Sequence, residues 1–219
     1  MTEIVSVERD GAQLARSTLE RCVAGGGVAV FPADGLYGLA CDPLDAAAID
    51  RIHRIKGRDE GKSSAVMYFS PLAMRELVEG LGERTREAVG ALLPGPLTLV
   101  VANPQQRYPL ACREDPERLG VRLIGGPLGG AMCPLFQTSA NRSGEPAAAS
   151  FAAVPQEIVD GADLAIDGGA LTGQPSTVVD LSRFDESGEW IVLREGAASR
   201  SQVESALSSS ADRRGRGGG

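Results

Sequence analysis

Residues 28–58 read VAVFPADGLYGLACDPLDAAAIDRIHRIKGR, an apolar run followed by a glycine-rich stretch and an amphipathic segment. The run VAVF (28–31) is typical of a short buried strand, and the glycine-rich stretch after it predicts a turn. Asp45 can cap a helix over DAAAIDRIHRIK, and Gly57 ends that helix. A strand, a turn and then a helix in this order are typical of an α/β fold.

Basic residues are concentrated at the end of this helix. The chain has 20 arginines but only two lysines, Lys56 and Lys62, and its one histidine, His53, lies three residues before Lys56. Lys56 falls in the last helical turn, and Arg58 follows next to glycines that let a ligand approach the backbone. An anion site would use the Arg fork and the Lys point charge, whereas a solvated helix face explains the same pattern. We interpret His53 as a packed or capping residue and not as a base.

The segment GRDEGKS (57–63) is similar to a phosphate-binding P-loop only at first sight. A P-loop has four residues between its two glycines, whereas three lie between Gly57 and Gly61. A P-loop also follows a strand and opens a helix, whereas this segment leaves a helix. Without a helix N-terminus behind the loop, backbone N–H groups are not aimed at a phosphate, and we reject the motif.

Composition and charge exclude several classes of protein. The 219 residues are 42% hydrophobic with a formal charge of −7, enough for one α/β domain but unsuited to binding nucleic acid through overall charge. The four cysteines show no CxxC spacing, which indicates reduced thiols and no zinc site. The N-terminus does not read as a signal peptide, and no apolar run could span a membrane. We therefore expect a cytoplasmic protein with no membrane partner.

The remaining chain alternates between strand and helix patterns. Strands are predicted at 64–69, 98–102, 120–124, 135–139, 162–167, 177–181 and 190–194, and helices at 12–23, 71–80, 83–93 and 153–160. This mixture predicts an α/β sheet with mixed strand directions. We assign residues 1–12 as an N-terminal extension, 13–205 as the domain and 206–219 as a disordered tail.

Polar side chains interrupt three of these strands or follow them directly. QTSANRSG (137–144) places hydroxyl and amide groups at a strand end, where ligands of open α/β sheets bind, although an ordinary Ser/Asn turn has the same composition. Arg122 stands alone in an apolar strand, and a buried Arg requires a carboxylate or a ligand anion. QPSTVVD (174–180) again puts hydroxyls just before a strand.

Seven segments occur in the order found in the Sua5/YrdC/YciO family, which this chain resembles: FPADGLYGLACDP, IKGR, PGPLTLVV, GVRL, TSANRSG, STVVD and LREGA. The resemblance spans residues 13–205. It includes the family's Lys-x-Arg and Ser-x-Asn signature, matched here by Lys56, Arg58, Ser139 and Asn141. The resemblance implies a twisted, open, mixed sheet surrounded by helices in a single domain.

The resemblance also implies an activity. Similar family members are threonylcarbamoyl-AMP synthases, which convert L-threonine, bicarbonate and ATP into threonylcarbamoyl-adenylate and pyrophosphate for the t6A modification of tRNA position 37. A carbamate is the nucleophile, so positioning and charge neutralisation, helped by Mg²⁺, carry the reaction without a Ser-His pair. The implied recipient of the adenylate is a t6A transferase complex.

Site residues follow from the same correspondence. The implied ATP site consists of Lys56, Arg58, Asn141 and Arg194, with the first two gripping the triphosphate as the catalytic pair. The implied threonine site consists of Arg122, Ser139 and Ser176, with Arg122 facing the substrate carboxylate. No protein-bound metal is implied.

The chain departs from the family pattern in the acceptor pocket. Ala33 and Gly35 replace two threonines that normally follow the first strand, and Ala149 stands where a Ser or Thr is usual. Loss of hydroxyl partners can change which substrate a pocket selects. Two alternatives to the threonine enzyme stay open. One is a divergent paralogue acting on another amine or on a carbamoyl-adenylate. The other is a double-stranded RNA-binding protein, to which the basic end RRGRGGG (213–219) would add weak RNA contact.

Overall fold

A mixed ten-stranded sheet runs through the part of the chain that the computed structural model describes, residues 1–57 and 63–217, with side chains in the last helix described as far as Ser209. The strands are β1 (Glu3–Ser6), β2 (Ala29–Ala33), β3 (Leu36–Cys41), β4 (Ala65–Tyr68), β5 (Leu97–Ala102), β6 (Arg118–Leu123), β7 (Leu135–Ser139), β8 (Leu164–Asp167), β9 (Thr177–Asp180) and β10 (Ile191–Arg194). Their spatial order is β1-β8-β2-β3-β7-β4-β6-β5-β9-β10. Four neighbouring pairs are parallel (β1·β8, β2·β8, β4·β6, β5·β9) and the other five are antiparallel. The predicted open, mixed α/β sheet is confirmed.

Nine α-helices connect these strands within the described ranges: α1 (Val7–Asp10), α2 (Ala12–Ala24), α3 (Ala46–Lys56), α4 (Pro71–Glu79), α5 (Glu83–Leu92), α6 (Pro109–Cys112), α7 (Gln156–Gly161), α8 (Phe184–Ser187) and α9 (Arg200–Gly217). Helix α3 begins and ends as its sequence predicts. The Asp45 carboxylate accepts a hydrogen bond of 3.0 Å from the Ala48 N–H, and Gly57 closes the helix in the left-handed conformation at φ 57°.

The two faces of the sheet differ in how they are covered. One face packs in a single apolar core against α3, α4, α5, α7 and α9, with Leu39, Val66, Leu99 and Val121 fully buried. On the opposite face, α2 covers only the part near β8, β2 and the start of β7, where Phe31 and Leu135 are buried. The remainder of that face is polar and carries the candidate site.

Three segments differ from their predicted structure. The glycine-rich stretch after the first strand contains β3, which pairs with β2 through a turn at Asp34 (φ 77°) and Gly35. Asp-Gly is a hairpin signal, and the glycines lie where close packing requires them. Residues 1–12 are part of the sheet, because β1 pairs in parallel with β8. The domain also extends past residue 205 into the predicted tail, since α9 continues to Gly217 and its Leu207 is buried in the core.

Candidate active site

A cavity of about 330 Å³ opens on the uncovered face of the sheet. Two arginines, Arg122 and Arg194, lie in its wall. Hydroxyl and amide side chains supply most of the other polar groups: Ser63, Ser64, Thr98, Gln137, Thr138, Ser139, Gln174 and Ser176. Among the described lining residues there is no Asp, Glu, His, Cys or Lys, so the cavity presents cationic and neutral hydrogen-bonding groups to a ligand.

Strand alternation explains why these side chains meet. Residues two apart on a strand face the same side, which places Gln137 and Ser139 of β7 together. Paired residues on neighbouring strands face the same side of the sheet. Gln137 therefore shares its face with Ala65 of β4, and Ser139 shares it with Gly38 of β3. Residues from five or more strands therefore converge on a surface that no single stretch of sequence displays.

Arg122 is buried in the cavity wall with few partners. Arg122 is only 7% exposed. Nη1 donates to Gln137 Oε1 at 3.3 Å and Nη2 to the Ala33 carbonyl at 3.4 Å, both long hydrogen bonds. The nearest carboxylate oxygen, on Asp34, is 3.9 Å from Nη2, and Nε has no hydrogen-bond partner among the described residues.

The charge on Arg122 is therefore poorly compensated. Burial lowers the pKa of its guanidinium to about 10, Asp34 acts in the opposite direction, and the positive charge of Arg194 lowers the pKa further. A buried cation in this state is stabilised by an anion that enters the cavity. The sequence-based requirement for a carboxylate or ligand anion is met only in part by Asp34.

Ser176 and Arg194 form the opposite side of the cavity. The Ser176 and Thr98 hydroxyl oxygens are 2.8 Å apart, and Arg194 Nη2 donates to the Ser176 carbonyl at 2.8 Å and to its hydroxyl oxygen at 3.2 Å. Arg194 itself is exposed. Its guanidinium is thus held at the mouth of the cavity by the residue that the resemblance assigns to threonine.

Lys56 and Asn141 lie behind the cavity wall and hold the turn after β7. Lys56, 3% exposed, directs Nζ at the carbonyl oxygens of Ser139 and Asn141, the latter at 2.6 Å, and at Asn141 Oδ1 at 3.2 Å. The Asn141 amide nitrogen donates in turn to the Arg142 carbonyl at 3.0 Å. In this structure a direct contact of Lys56 with phosphate stays a prediction, and its observed role is to fix Ser139 in the wall.

Arg58 lies outside the described residues, but Lys56 and Ser63, which come before and after it in the chain, have defined hydrogen bonds. The Ser143 N–H donates to the Lys56 carbonyl at 2.9 Å on one side, and Ser63 Oγ donates to the Cys112 carbonyl at 2.8 Å on the other. His53 is 2% exposed and packs against Phe136 with ring centroids 6.1 Å apart, as predicted for a packed residue.

Gly35 and Ala149, two of the residues that depart from the family pattern, both contact the segment of residues 169–175. A β-carbon on Gly35 would be 2.0 Å from the Gln174 carbonyl oxygen, and the Gly173 N–H donates to the Gly35 carbonyl at 2.9 Å. The Ala149 carbonyl accepts a hydrogen bond of 2.7 Å from the Leu171 N–H. The small residues at 35 and 149 therefore allow this segment to pack closely and to form part of the cavity wall.

The structure brings together four of the seven predicted site residues in the cavity: Arg122, Ser139, Ser176 and Arg194. Thr98 and Gln137 also line it but were given no role from the sequence. The one available signal was the position of Gln137 two residues before Ser139 on a strand.

Other classes of site find no support within the described ranges. No group of three or more His, Cys, Asp or Glu side chains there is placed to hold a metal ion. The four cysteines are free thiols. No helix in that part of the chain combines the length and apolar character needed to cross a membrane.

Comparison with known proteins identifies a family and several relatives to which this chain is similar. A family model described as Sua5_yciO_yrdC, telomere recombination, matches residues 21–196. A threonylcarbamoyl-AMP synthase of Pseudomonas aeruginosa is 35% identical over 167 residues, which cover 74% of this chain and 89% of that protein. The corresponding protein of Nitrosococcus oceani is 32% identical over 168 residues, 73% of this chain and 89% of its own.

Solved structures agree with the sequence relatives. P. abyssi Sua5 complexed with L-threonine superimposes with a TM-score of 0.79 at 25% identity over 94% of this chain, which spans only 60% of the length of that protein. E. coli YciO gives a TM-score of 0.74 at 25% identity, covering 93% of this chain and all of its own. The chain belongs to the Sua5/YrdC/YciO family.

Proposed function

We propose that this protein is an L-threonylcarbamoyladenylate synthase, which converts L-threonine, bicarbonate and ATP into threonylcarbamoyl-AMP and pyrophosphate. The observation that carries the proposal is Arg122, a buried guanidinium in the wall of a hydroxyl-lined cavity whose Nε has no hydrogen-bond partner in the described part of the chain. Curated relatives named threonylcarbamoyl-AMP synthase and a Sua5 structure with L-threonine support this choice of reaction.

In the proposed complex Arg122 binds the threonine carboxylate. Its Nε and its two weakly bonded Nη groups can donate to both carboxylate oxygens, which gives charge-assisted bonds in a site of low exposure. The hydroxyls of Ser139 and Ser176 lie on the neighbouring walls and would orient the amine end. Threonine would then be held with its nitrogen toward the cavity mouth.

ATP would approach from the side of Arg194 and the turn after β7. Arg194 is exposed at the cavity mouth, where its guanidinium can bind phosphate oxygens. Lys56 and Asn141 contribute by holding Ser139 and the turn in place. Direct contacts of Lys56 and Arg58 with the triphosphate complete the proposed ATP site.

The reaction requires two bonds to form in sequence. The threonine amine attacks the carbon of bicarbonate, and loss of water leaves a carbamate. A carbamate oxygen then attacks the α-phosphorus, and the bond from that phosphorus to pyrophosphate breaks. Because no His, Cys or carboxylate is found among the described lining residues, these residues contribute position and positive charge and do not exchange protons.

Mg²⁺ fits this cavity only as a companion of the nucleotide. With no acidic side chain among the described lining residues, the ion would be held by phosphate oxygens and water, an arrangement common for Mg²⁺. When bound in that way it would neutralise charge on the triphosphate. Arg194 is the described residue best placed to share that task.

The adenylate product is a reactive mixed anhydride, so we propose that a t6A transferase complex consumes it. The RNA-binding alternative stays a prediction, because the side chains of Arg213, Arg214 and Arg216 lie beyond those described in α9. The formal charge of −7 continues to disfavour nucleic-acid binding by overall charge.

Pyrophosphate release tests the proposed function. We expect release from ATP, Mg²⁺ and bicarbonate to require L-threonine and to be lost in Arg122→Met. Arg75→Met is a matched control, because Arg75 is exposed and its charged partner, Glu79, lies on the same helix. ATP binding without threonine-dependent release would contradict the proposal and would favour a paralogue that uses another amine.

A further inference from the structure

We propose that Gln137 binds the substrate side chain and selects an amino acid that carries a β-hydroxyl group. The inference rests on the proposed function and adds to it a residue that neither the resemblance nor the relatives assign. It depends on the orientation of one amide, on the atoms next to that amide and on the shape of threonine.

Arg122 fixes the orientation of the Gln137 amide. A guanidinium only donates hydrogen bonds, so the atom 3.3 Å from Arg122 Nη1 must be the amide oxygen Oε1. The nitrogen Nε2 lies in the same plane on the other side of the amide group, away from Arg122 Nη1. Gln137 thus accepts from one cavity group and presents two N–H donors elsewhere.

Those two donors have no partner within the described part of the chain. Gln137 makes the hydrogen bond with Arg122 through Oε1, whereas no protein acceptor lies in reach of Nε2. Gln137 is half-buried and lines the cavity. An amide N–H in such a place is satisfied by water or by a ligand oxygen.

Gly38 brings the amide next to Ala33. A β-carbon on Gly38 would lie 2.9 Å from Phe31 Cε1, 3.1 Å from the Ala33 β-carbon and 3.2 Å from Gln137 Nε2, so all three groups border the same small space. The absent side chain at 38 leaves a polar donor and a methyl group side by side. Both are close to Arg122, which bonds to Gln137 Oε1 and to the Ala33 carbonyl.

Threonine matches this arrangement. With its carboxylate on Arg122, the β-carbon of the substrate lies within reach of the same corner and carries one methyl and one hydroxyl group. The hydroxyl oxygen accepts from Gln137 Nε2, while the methyl group packs against Ala33. A substrate without the hydroxyl leaves the amide donor unpaired and binds less well.

The test compares L-threonine with L-2-aminobutyrate, which lacks only the hydroxyl group. The readout is the ratio of kcat/KM values for pyrophosphate release, because changes at Arg122 affect the carboxylate of both substrates alike. We expect the native protein to prefer threonine, and Gln137→Met to reduce that preference about tenfold, the effect of one neutral hydrogen bond. Gln137→Leu removes the donors with a second apolar side chain, and should reduce the ratio in the same way.

Gln156→Met serves as the control, since Gln156 is exposed on α7 and bonds only to Asp160. A native protein that does not distinguish the two substrates, or an unchanged ratio in both Gln137 variants, would overturn the inference while threonine-dependent release leaves the proposed function intact. Absence of threonine-dependent release from the native protein would overturn both.

Discussion

Lys56 and Arg122 are two buried cations that differ in how their charge is met. Among the described residues, Lys56 is 3% exposed and directs its ammonium group at three oxygen atoms of the turn after β7, whereas Arg122 is 7% exposed, makes two long hydrogen bonds and has no partner there for Nε. Burial of a charge without partners is costly. Among the described residues the turn supplies oxygen partners for Lys56, whereas the charge of Arg122 is met only in part there, and the proposed substrate carboxylate would complete it.

We use this difference to propose separate roles for the two residues, structural support for Lys56 and substrate binding for Arg122. Both cations belong to segments that resemble the family, and sequence alone gives both a ligand role. From the atoms within reach of each side chain we infer that Lys56 positions Ser139 and that Arg122 binds the substrate carboxylate. Four substitutions test this division, beginning with the one expected to have the largest effect.

Replacement of Arg122 by Met should abolish most activity without unfolding the protein. We expect kcat/KM for L-threonine to fall about 1000-fold, since a buried charge-assisted pair is lost. The midpoint of thermal unfolding should stay level or rise, because an apolar side chain replaces an incompletely paired charge. A large drop in the unfolding midpoint would instead give Arg122 the structural role assigned to Lys56.

Replacement of Lys56 by Met should act mainly on stability. The carbonyls of Ser139 and Asn141 and the Asn141 side-chain oxygen would lose a buried donor, which costs about 3 kcal/mol in the free energy of unfolding. Urea denaturation measures this value. Arg54→Met is the control on the same helix, where the side chain is exposed, and equal stability of the two variants would refute the supporting role.

Replacement of Gly35 by Ala tests whether the cavity wall near Arg122 is packed as tightly as the turn near Lys56. The new β-carbon would lie 2.0 Å from the Gln174 carbonyl oxygen, so residues 172–174 must move. We expect a loss of about 2 kcal/mol in unfolding free energy and a raised KM for threonine. Gly90→Ala on α5, with no atom near the added carbon, should be neutral or slightly stabilising in the same denaturation assay.

Replacement of Arg194 by Gln extends the comparison to an exposed cation. Solvent screens this guanidinium, so its contribution should be the smallest. We expect about a fivefold rise in KM for ATP at low salt, with the difference from the native protein shrinking as ionic strength rises. A difference that does not depend on salt would indicate that Arg194 is enclosed when the nucleotide binds.

Local chemistry predicted the parts of the fold that depend on neighbours in sequence. Asp45 and Gly57 define α3 because capping groups act within a few residues. Arg122 was recognisable since a charge inside an apolar strand needs an explanation. The tail boundary was wrong because composition favours disorder after residue 205, whereas Leu207 gains a place in the core.

Long-range pairing was not predictable in this way. Strand β3 contains Gly38, which disfavours a strand by propensity, yet a β-carbon there would lie 2.9 Å from Phe31 Cε1. Gln137 contacts Arg122 across β4, which separates their strands in the sheet. Nor does the sequence show that the carbonyls of Ser139 and Asn141 surround Lys56.

The most direct test of the account is calorimetric binding of L-threonine and of L-threonine amide, which lacks the anionic carboxylate. The native protein should bind threonine about 100-fold more tightly than the amide, and Arg122→Met should bind the two about equally. A variant that still prefers threonine over its amide would contradict the assignment of Arg122 to the substrate carboxylate.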